Sequence, residues 1–461
     1  VVVDIFNRVN SGGTKLSKGD LALAKICAHW PEARSTMRQY LDTWHSAGYD
    51  QFTLDWLLRS ANAVATGRAP FSALEHVDSE TFRTSLTASA DYLDTFLNAA
   101  AGRLGLDHGR VLMGRYAAPV VARFLHVNGG AFAGAAERDR MLFWYVHSAL
   151  WGRFAGSTET VLAQDYEILH QSGIDGLITA LERWRGGNLV ISGHDFDGCG
   201  RGSRFYPLLD LLTRFGSARD FGGGLELHKS LLGKSSGLQV HHIFPKSLLY
   251  TAGYSRGEVN GIANYCFLTQ DTNLKISNRR PAEYFVEVEA ANPGALASQW
   301  IPEDPELWEL ERYPDFLAAR RKLLAQAANA FLDELRSGSS ATAPAVPRPS
   351  VTITDDGNDA EDLAAMPARL TDLGCALPET DAEIADPRSG EPVTVADAFW
   401  PDGLQAGQGS PVVLVLSPGA AVLAALQRLG YEVFTSAEAL LDVAELRNVT
   451  ASGAADQGAL V

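Results

Sequence analysis

The stretch Leu238-Gln-Val-His241-His242-Ile-Phe-Pro245-Lys-Ser247 decides the local fold, because an apolar, β-branched run ends here in two histidines and a turn. A second run of strand composition, Asn264-Tyr-Cys-Phe-Leu-Thr, begins about twenty residues further on. Pro281 then fits the first turn of a helix. The order strand, loop, strand and helix predicts a ββα unit with its core at residues 238–290.

Two histidines and two asparagines in this unit are the residue types of a one-metal phosphodiesterase site. A histidine with a pKa near neutrality can deprotonate water, and we predict this general-base role for His242. Asn264 is predicted to accept a hydrogen bond from the imidazole ring of His242 and so to fix the tautomer of that ring. A cation stabilises the charge that develops on the phosphate, and His241 and Asn273 are its predicted ligands.

The two adjacent histidines place a condition on this site. Neighbouring residues of a strand point to opposite faces, so His241 and His242 can serve one site only if the strand ends or bends between them. The turn at Phe244-Pro245 supports such a bend.

The order His241-His-Ile-Phe-Pro-Lys-Ser, Asn264, Asn273 resembles the His-Asn-Asn signature of HNH nucleases. The wider run from Val259-Asn-Gly-Ile-Ala-Asn to Pro281-Ala-Glu-Tyr resembles the C-terminal nuclease domain of GmrSD-type modification-dependent restriction endonucleases and SspE-like phage-defence proteins. The resemblance implies a metal-dependent DNA endonuclease or nickase. Many HNH sites have a carboxylate where this chain has His241, and imidazole suits Mn, Ni or Zn better than Mg. The expected cofactor is therefore a divalent metal, Mg or Mn, with Ni or Zn as further candidates.

Residues 1–28 resemble the end of the N-terminal ParB-like domain of the same family, through the run Ile5-Phe-Asn-Arg-Val-Asn-Ser-Gly-Gly-Thr. Those relatives carry an Asp-Gly-Gln-Gln-Arg motif linked to nucleotide hydrolysis further upstream, and this sequence contains none. We therefore expect that an upstream nucleotide-hydrolysing region is missing from this chain.

The composition is that of a globular protein with two or three domains, at 461 residues, 46% hydrophobic and 20% charged. No apolar run has the length of a membrane span, so no membrane partner is expected. The four cysteines lack the paired spacing of a metal site, which favours a cytoplasmic, reducing location.

Apolar spacing at three and four residues predicts a mainly α-helical body at 29–335, in which the ββα nuclease unit is embedded. A Ser- and Pro-rich linker follows at 336–362. Residues 363–461 are predicted to form a small, acidic α/β accessory domain, since strand-like runs at 411–417 and 430–434 flank an Ala- and Leu-rich helix. Asp397, Trp400 and Asp402 fall in a stretch predicted to be a loop.

The net charge of −16 is unevenly distributed. The whole chain has 55 acidic and 39 basic residues. From Ser350 onward there are 18 acidic and 4 basic residues, which leaves 37 acidic and 35 basic residues before Ser350. The ββα region is locally basic, and the residues predicted to contact DNA phosphates are Lys246, Lys275, Arg279 and Arg280. The acidic C-terminal domain is expected to meet a protein partner, to regulate, or to face the basic surface of its own chain.

Two other functions remain open on the sequence. The chain could be a non-catalytic module that binds DNA or a partner, with the ββα unit as a structural element. It could also be an RNA-directed toxin nuclease with the same chemistry. Three basic residues outside the ββα unit have two open interpretations, DNA contact or simple exposure to solvent: Arg320, Arg321 and Lys322.

Overall fold

The computed structural model describes residues 18–338, apart from 108, 110 and 228–237, and parts of the segment 354–444. The predicted ParB-like segment up to residue 17 and most of the predicted linker lie outside the described residues.

A body of helices forms the N-terminal half, as the apolar spacing predicts. Its helices are α1 (Lys18–Cys27), α2 (Ala33–Ser46), α3 (Leu54–Thr66), α4 (Ser79–Leu104), α5 (Ala118–Val127), α6 (Ala135–Leu150), α7 (Thr158–Trp184) and α8 (Tyr206–Phe215), with 3-10 turns at Phe71–His76, Arg115–Ala117 and Gly193–Phe196. Local signals set the ends of α4, where Asp78 accepts the N–H of Thr81 at 2.8 Å and Gly105 adopts a φ of 71°.

A cluster of aromatic side chains packs within the core of the helical body. The ring of Phe52 stacks on that of Trp56 with centroids 3.8 Å apart, and Trp44 meets Trp56 edge to face at 5.7 Å. All three side chains are buried. The interpretation of the helical aromatics as core residues is confirmed for these positions.

The second half begins with a β-hairpin followed by helices. Its elements are β1 (Leu238–His242), α9 (Lys246–Thr251), α10 (Arg256–Val259), a 3-10 turn at Ile262–Asn264, β2 (Tyr265–Thr269), α11 (Gln270–Ile276), α12 (Pro281–Ala291) and α13 (Ala295–Ser298), then 3-10 turns at Pro305–Trp308 and Leu310–Arg312 and the long helix α14 (Tyr313–Ser337). We call β1, β2 and α11 the hairpin–helix unit.

The hairpin separates two apolar cores. β1 pairs antiparallel with β2, from Leu238 opposite Thr269 to His242 opposite Tyr265. Val240 and Phe267 pack into the core of the helical body, whereas Cys266 packs into a second core with the helices that follow. Both faces of the hairpin are therefore covered, which explains why its strands read as nearly continuous apolar runs.

Helix α14 spans both cores and corrects one expectation about its basic residues. Arg320 is fully buried, and its guanidinium donates to the backbone carbonyls of Ala263, Tyr265 and Gln299 at 2.8, 2.6 and 3.2 Å. It faces neither DNA nor solvent. Its role is to hold the backbone that enters β2.

The C-terminal region forms a four-stranded sheet in the order β4 (Glu379–Ala385), β5 (Pro392–Trp400), β6 (Val412–Leu414) and β7 (Glu432–Phe434). β6 and β7 are parallel, as expected for the predicted α/β domain. The loop prediction for Asp397 and Trp400 is wrong, since both lie in β5. Burial of the Trp400 side chain in the core of this sheet stabilises the strand there. Asp402 lies outside the described residues.

A short strand ahead of this sheet, β3 (Thr354–Asp355), pairs parallel with β1 of the hairpin–helix unit at Gln239 and Val240. The chain therefore returns to the open edge of the hairpin within the predicted linker, 336–362. Within the described residues, no helix is both long enough and apolar enough to span a bilayer.

Candidate functional site

Both motif histidines lie on β1, on opposite faces of the hairpin. The strand keeps its register through them, with His241 opposite Cys266 and His242 opposite Tyr265. The bend expected between the two histidines is absent, because the ladder with β2 extends to His242 and the turn follows only at Pro245. Each histidine therefore has its own set of partners.

His241 is paired with Asn273 of α11 in a buried position. The ring Nδ1 lies 2.7 Å from Asn273 Oδ1, and Asn273 Nδ2 donates to Gln239 Oε1 at 2.9 Å. Since an amide oxygen can only accept, Nδ1 carries the proton and the lone pair is on Nε2. That Nε2 is buried and has no hydrogen-bond partner among the described residues. Burial lowers the pKa of His241 to about 4, so the ring is neutral at neutral pH.

His242 is half-buried and is paired with Asn260. Its Nε2 lies 3.1 Å from Asn260 Oδ1, which fixes the proton on Nε2 and leaves the lone pair on Nδ1. The ring also meets Tyr265 edge to face at 4.8 Å. Burial, and then the positive charges of Lys246 and Arg201, hold the pKa of His242 well below its ordinary value.

Asn264 does not hold His242, and that part of the sequence prediction is wrong. Its Oδ1 accepts the backbone N–H of Phe244 at 2.9 Å, and its Nδ2 donates to the carbonyls of Phe244 and Val259 at 3.1 and 3.0 Å. The side chain is fully buried and all these partners are backbone groups. Asn264 therefore clamps the turn after β1 to the end of α10, and Asn260 supplies the acceptor for His242.

The position of Asn260 follows from a short, well-capped helix. Ser255 and Glu258 form a reciprocal capping box at the start of α10, and Asn260 is its C-terminal cap. Tyr313 of α14 donates from its hydroxyl to the carbonyl of Glu258 at 2.6 Å. The sequence signal at Asn260-Gly261 is that of a turn, which is why its contact with His242 was missed.

Asp220 positions α11 and was also missed. One carboxylate oxygen accepts the backbone N–H of Thr269 at 2.8 Å, and the other accepts the hydroxyl of Thr272 at 2.5 Å. Asp220 is 1% exposed and lies far from the motif in the sequence. It fixes the first turn of the helix that carries Asn273.

The four residues predicted to bind phosphates have different surroundings. Lys275 and Arg280 are exposed, and Arg279 donates to both carboxylate oxygens of Glu287 at 2.8 and 2.5 Å. Lys246, at the start of α9, is the one of the four that lowers the pKa of His242. Arg201, which no motif indicated, acts on His242 in the same way and lies over the Tyr265 ring at 5.1 Å.

The predicted metal ligands have suitable donor chemistry. The 2.7 Å contact is a hydrogen bond in which Nδ1–H donates to Asn273 Oδ1, so the free donor of His241 is Nε2, a buried lone pair without a partner among the described residues. The two side chains can share a cation only if this hydrogen bond breaks. No group of three or more His, Cys, Asp or Glu side chains suited to a metal occurs in the part of the chain described here. A cation held by His241 and Asn273 would take its other ligands from water or phosphate.

Comparison with known proteins finds neither a protein-family model nor a curated protein that matches the chain. The resemblance to HNH nucleases therefore remains a prediction from the motif residues.

Proposed function

We propose that the chain is a metal-dependent endonuclease or nickase that hydrolyses DNA phosphodiester bonds in restriction or anti-phage defence. The observation that carries the proposal is the state of His242. It is a neutral imidazole, held by Asn260 in the tautomer that leaves the lone pair on Nδ1, and the cations Lys246 and Arg201 act on it.

In the proposed reaction, His242 Nδ1 takes a proton from a water molecule as the water oxygen attacks phosphorus. The bond from phosphorus to the leaving sugar oxygen then breaks, and that oxygen takes up a proton from solvent. Lys246 and Arg201 attract the anionic phosphate. Its charge in turn offsets theirs and raises the pKa of His242 towards the range in which a base is effective.

A divalent cation, Mg or Mn with Ni or Zn as further candidates, would supply charge stabilisation on the phosphate when bound. His241 and Asn273 are its proposed ligands; because they lie on the side of the hairpin opposite His242, a cation held there acts on the phosphate at His242 only if β1 bends when DNA binds. This assignment is separate from that of His242 and has its own test. Mn²⁺ binding, followed by titration calorimetry without DNA, should weaken in His241→Ala and persist in His242→Ala.

The test of the proposal is cleavage of supercoiled plasmid with Mg²⁺, Mn²⁺ or EDTA. Wild type should nick the plasmid only with metal, and His242→Ala should lose nicking but still bind DNA. His170→Ala is the matched control, because His170 is exposed on α7, outside the hairpin–helix unit. Full activity of His242→Ala would remove this residue as the base.

One observation favours a second candidate, a DNA-binding module without catalysis. His241 and His242 face opposite sides of the hairpin, and His241 and Asn273 are only 4% and 3% exposed. Two histidine–asparagine pairs of this kind also suit a purely structural role. This candidate predicts salt-dependent DNA binding and no hydrolysis with any of the metals.

A further inference from the structure

A cavity of about 380 Å³ lies between the hairpin–helix unit and the C-terminal sheet. Its inner wall is formed by the glycine-rich segment 198–204 and by residues at the starts of α9 and α10. Strand β5 forms the outer wall with Val393, Thr394, Val395 and Asp397. We call this space the β5 cavity.

The inner wall of the β5 cavity is cationic. Four basic side chains line it: Arg201, Arg204, Lys246 and Arg256. They come from three separate parts of the chain, so the tertiary fold, not a basic run in the sequence, brings them together. Charges of one sign on the wall of a cleft attract ligands of the opposite sign.

The β5 cavity adjoins the proposed general base. Asn260 and Tyr265 line it, and both contact His242, through the 3.1 Å hydrogen bond and the edge-to-face ring pair respectively. His242 is not itself among the lining residues, so a group bound in the cavity would lie one side chain away from the imidazole. The volume lies near the lower end of the range for small-ligand sites, ~300–1,000 Å³, which suits one phosphate-bearing nucleotide and not a duplex.

Asp397 brings a carboxylate into this cationic space. It is the acidic residue among the described lining residues, and it is half-buried. Its Oδ1 lies so close to Gly202 that a Cβ added there would overlap it. The carboxylate thus lies against the glycine-rich wall of the cavity that the four basic side chains also line.

We propose that the β5 cavity binds a phosphodiester phosphate of the DNA strand presented to His242, and that Asp397 occupies its anion position when DNA is absent. The inference rests on the proposed function, because it identifies where the substrate phosphate of that site is held. It also assigns a role to the acidic C-terminal domain: β5 closes the site, and DNA must displace the Asp397 carboxylate to enter.

The test is DNA affinity in EDTA, where cleavage does not interfere. The probe is a short fluorescein-labelled DNA, single-stranded and duplex, followed by fluorescence polarisation over a series of salt concentrations. Asp397→Asn should bind about threefold more tightly, the size of effect expected when a partly exposed charge contact is removed. Arg256→Gln should bind more weakly, with a salt slope smaller by about 1.

Matched controls separate the local effect from net charge. Glu379→Gln removes one negative charge from an exposed position on β4, and Arg38→Gln removes one positive charge from an exposed position on α2. Both should leave the affinity near that of wild type. Gly202→Ala provides a second route, because the added methyl group pushes the Asp397 carboxylate aside, and it should tighten binding as Asp397→Asn does.

The inference is overturned if Asp397→Asn and Glu379→Gln have the same affinity, or if Arg256→Gln behaves like Arg38→Gln. Its failure is distinguishable from that of the nuclease proposal. If wild type cuts DNA while Asp397→Asn binds like wild type, the β5 cavity assignment falls and the nuclease stands. If nothing cuts with any metal but Asp397→Asn still binds more tightly, the nuclease falls and the cavity remains a DNA site.

Discussion

Replacement of Asn264 by Ala tests how the site is held together. The change removes three hydrogen bonds, one to the N–H of Phe244 and two to the carbonyls of Phe244 and Val259. Each is worth about 1 kcal/mol net, and a buried N–H left without a partner costs about 1–3 kcal/mol more. Because Asn264 is fully buried, water cannot replace the lost contacts, and we expect the free energy of unfolding to fall by about 4–6 kcal/mol.

The measurement is equilibrium unfolding in urea, with Asn260→Ala as the comparison. Asn260 contacts the His242 ring with its side chain at 3.1 Å, so its removal should cost only about 1 kcal/mol of stability. In a nicking assay, however, Asn260→Ala should reduce the rate, because it frees the imidazole to change tautomer. A loss of less than about 1 kcal/mol in Asn264→Ala would refute the assignment of Asn264 as a clamp. If Asn260→Ala instead lost more stability than Asn264→Ala and nicked at the wild-type rate, the orienting role would return to Asn264.

Three further predictions concern groups outside the His242 pair. Arg320→Met should lower the free energy of unfolding by about 3 kcal/mol in urea, because three buried carbonyls lose their donor. Burial lowers the pKa of His147 in the folded protein to about 3. As the pH drops, His147 is therefore protonated in the unfolded chain before it is protonated in the folded protein, and the free energy of unfolding falls between about pH 6.5 and pH 3. His147→Gln, which can still accept from Trp151, should flatten this acid dependence in urea unfolding measured at several pH values. Arg279→Gln should leave the urea midpoint unchanged, since its ion pair with Glu287 is exposed.

These three predictions can each fail on its own. An Arg320→Met variant as stable as wild type would mean that the three carbonyls find other donors. An acid dependence that is equally steep in His147→Gln would assign it to other groups. A clear loss of stability in Arg279→Gln would show that the ion pair is more than a surface contact.

Local patterns in the sequence were sufficient for the secondary structure near the motif. Apolar spacing predicted the helical body, and the two strand-like runs became β1 and β2. The parallel pair β6 and β7 follows from the predicted strand, helix, strand order. These features depend on the periodicity of side chains along a helix or strand, which neighbouring residues alone determine.

The partners of the motif residues were not predictable in the same way. The pairing of His241 with Asn273 brings together the two residues predicted to share a cation, but His242 meets Asn260 and not Asn264. A strand assigns each histidine to a face and leaves open which loop residue reaches that face. The path of the 22 residues between His242 and Tyr265 decides it, through the cap of α10 and the clamp at Asn264.

The sequence by itself determined the elements near the motif and the excess of negative charge at the C-terminal end. Only the tertiary structure decided that Arg320 is buried, that Asp220 anchors α11, and that Asp397 lies beside Gly202. The physical reason is that alternation and helical period are short-range properties of the chain. Burial, hydrogen-bond partners and the convergence of charges depend instead on contacts between residues tens to hundreds of positions apart, which no local pattern encodes.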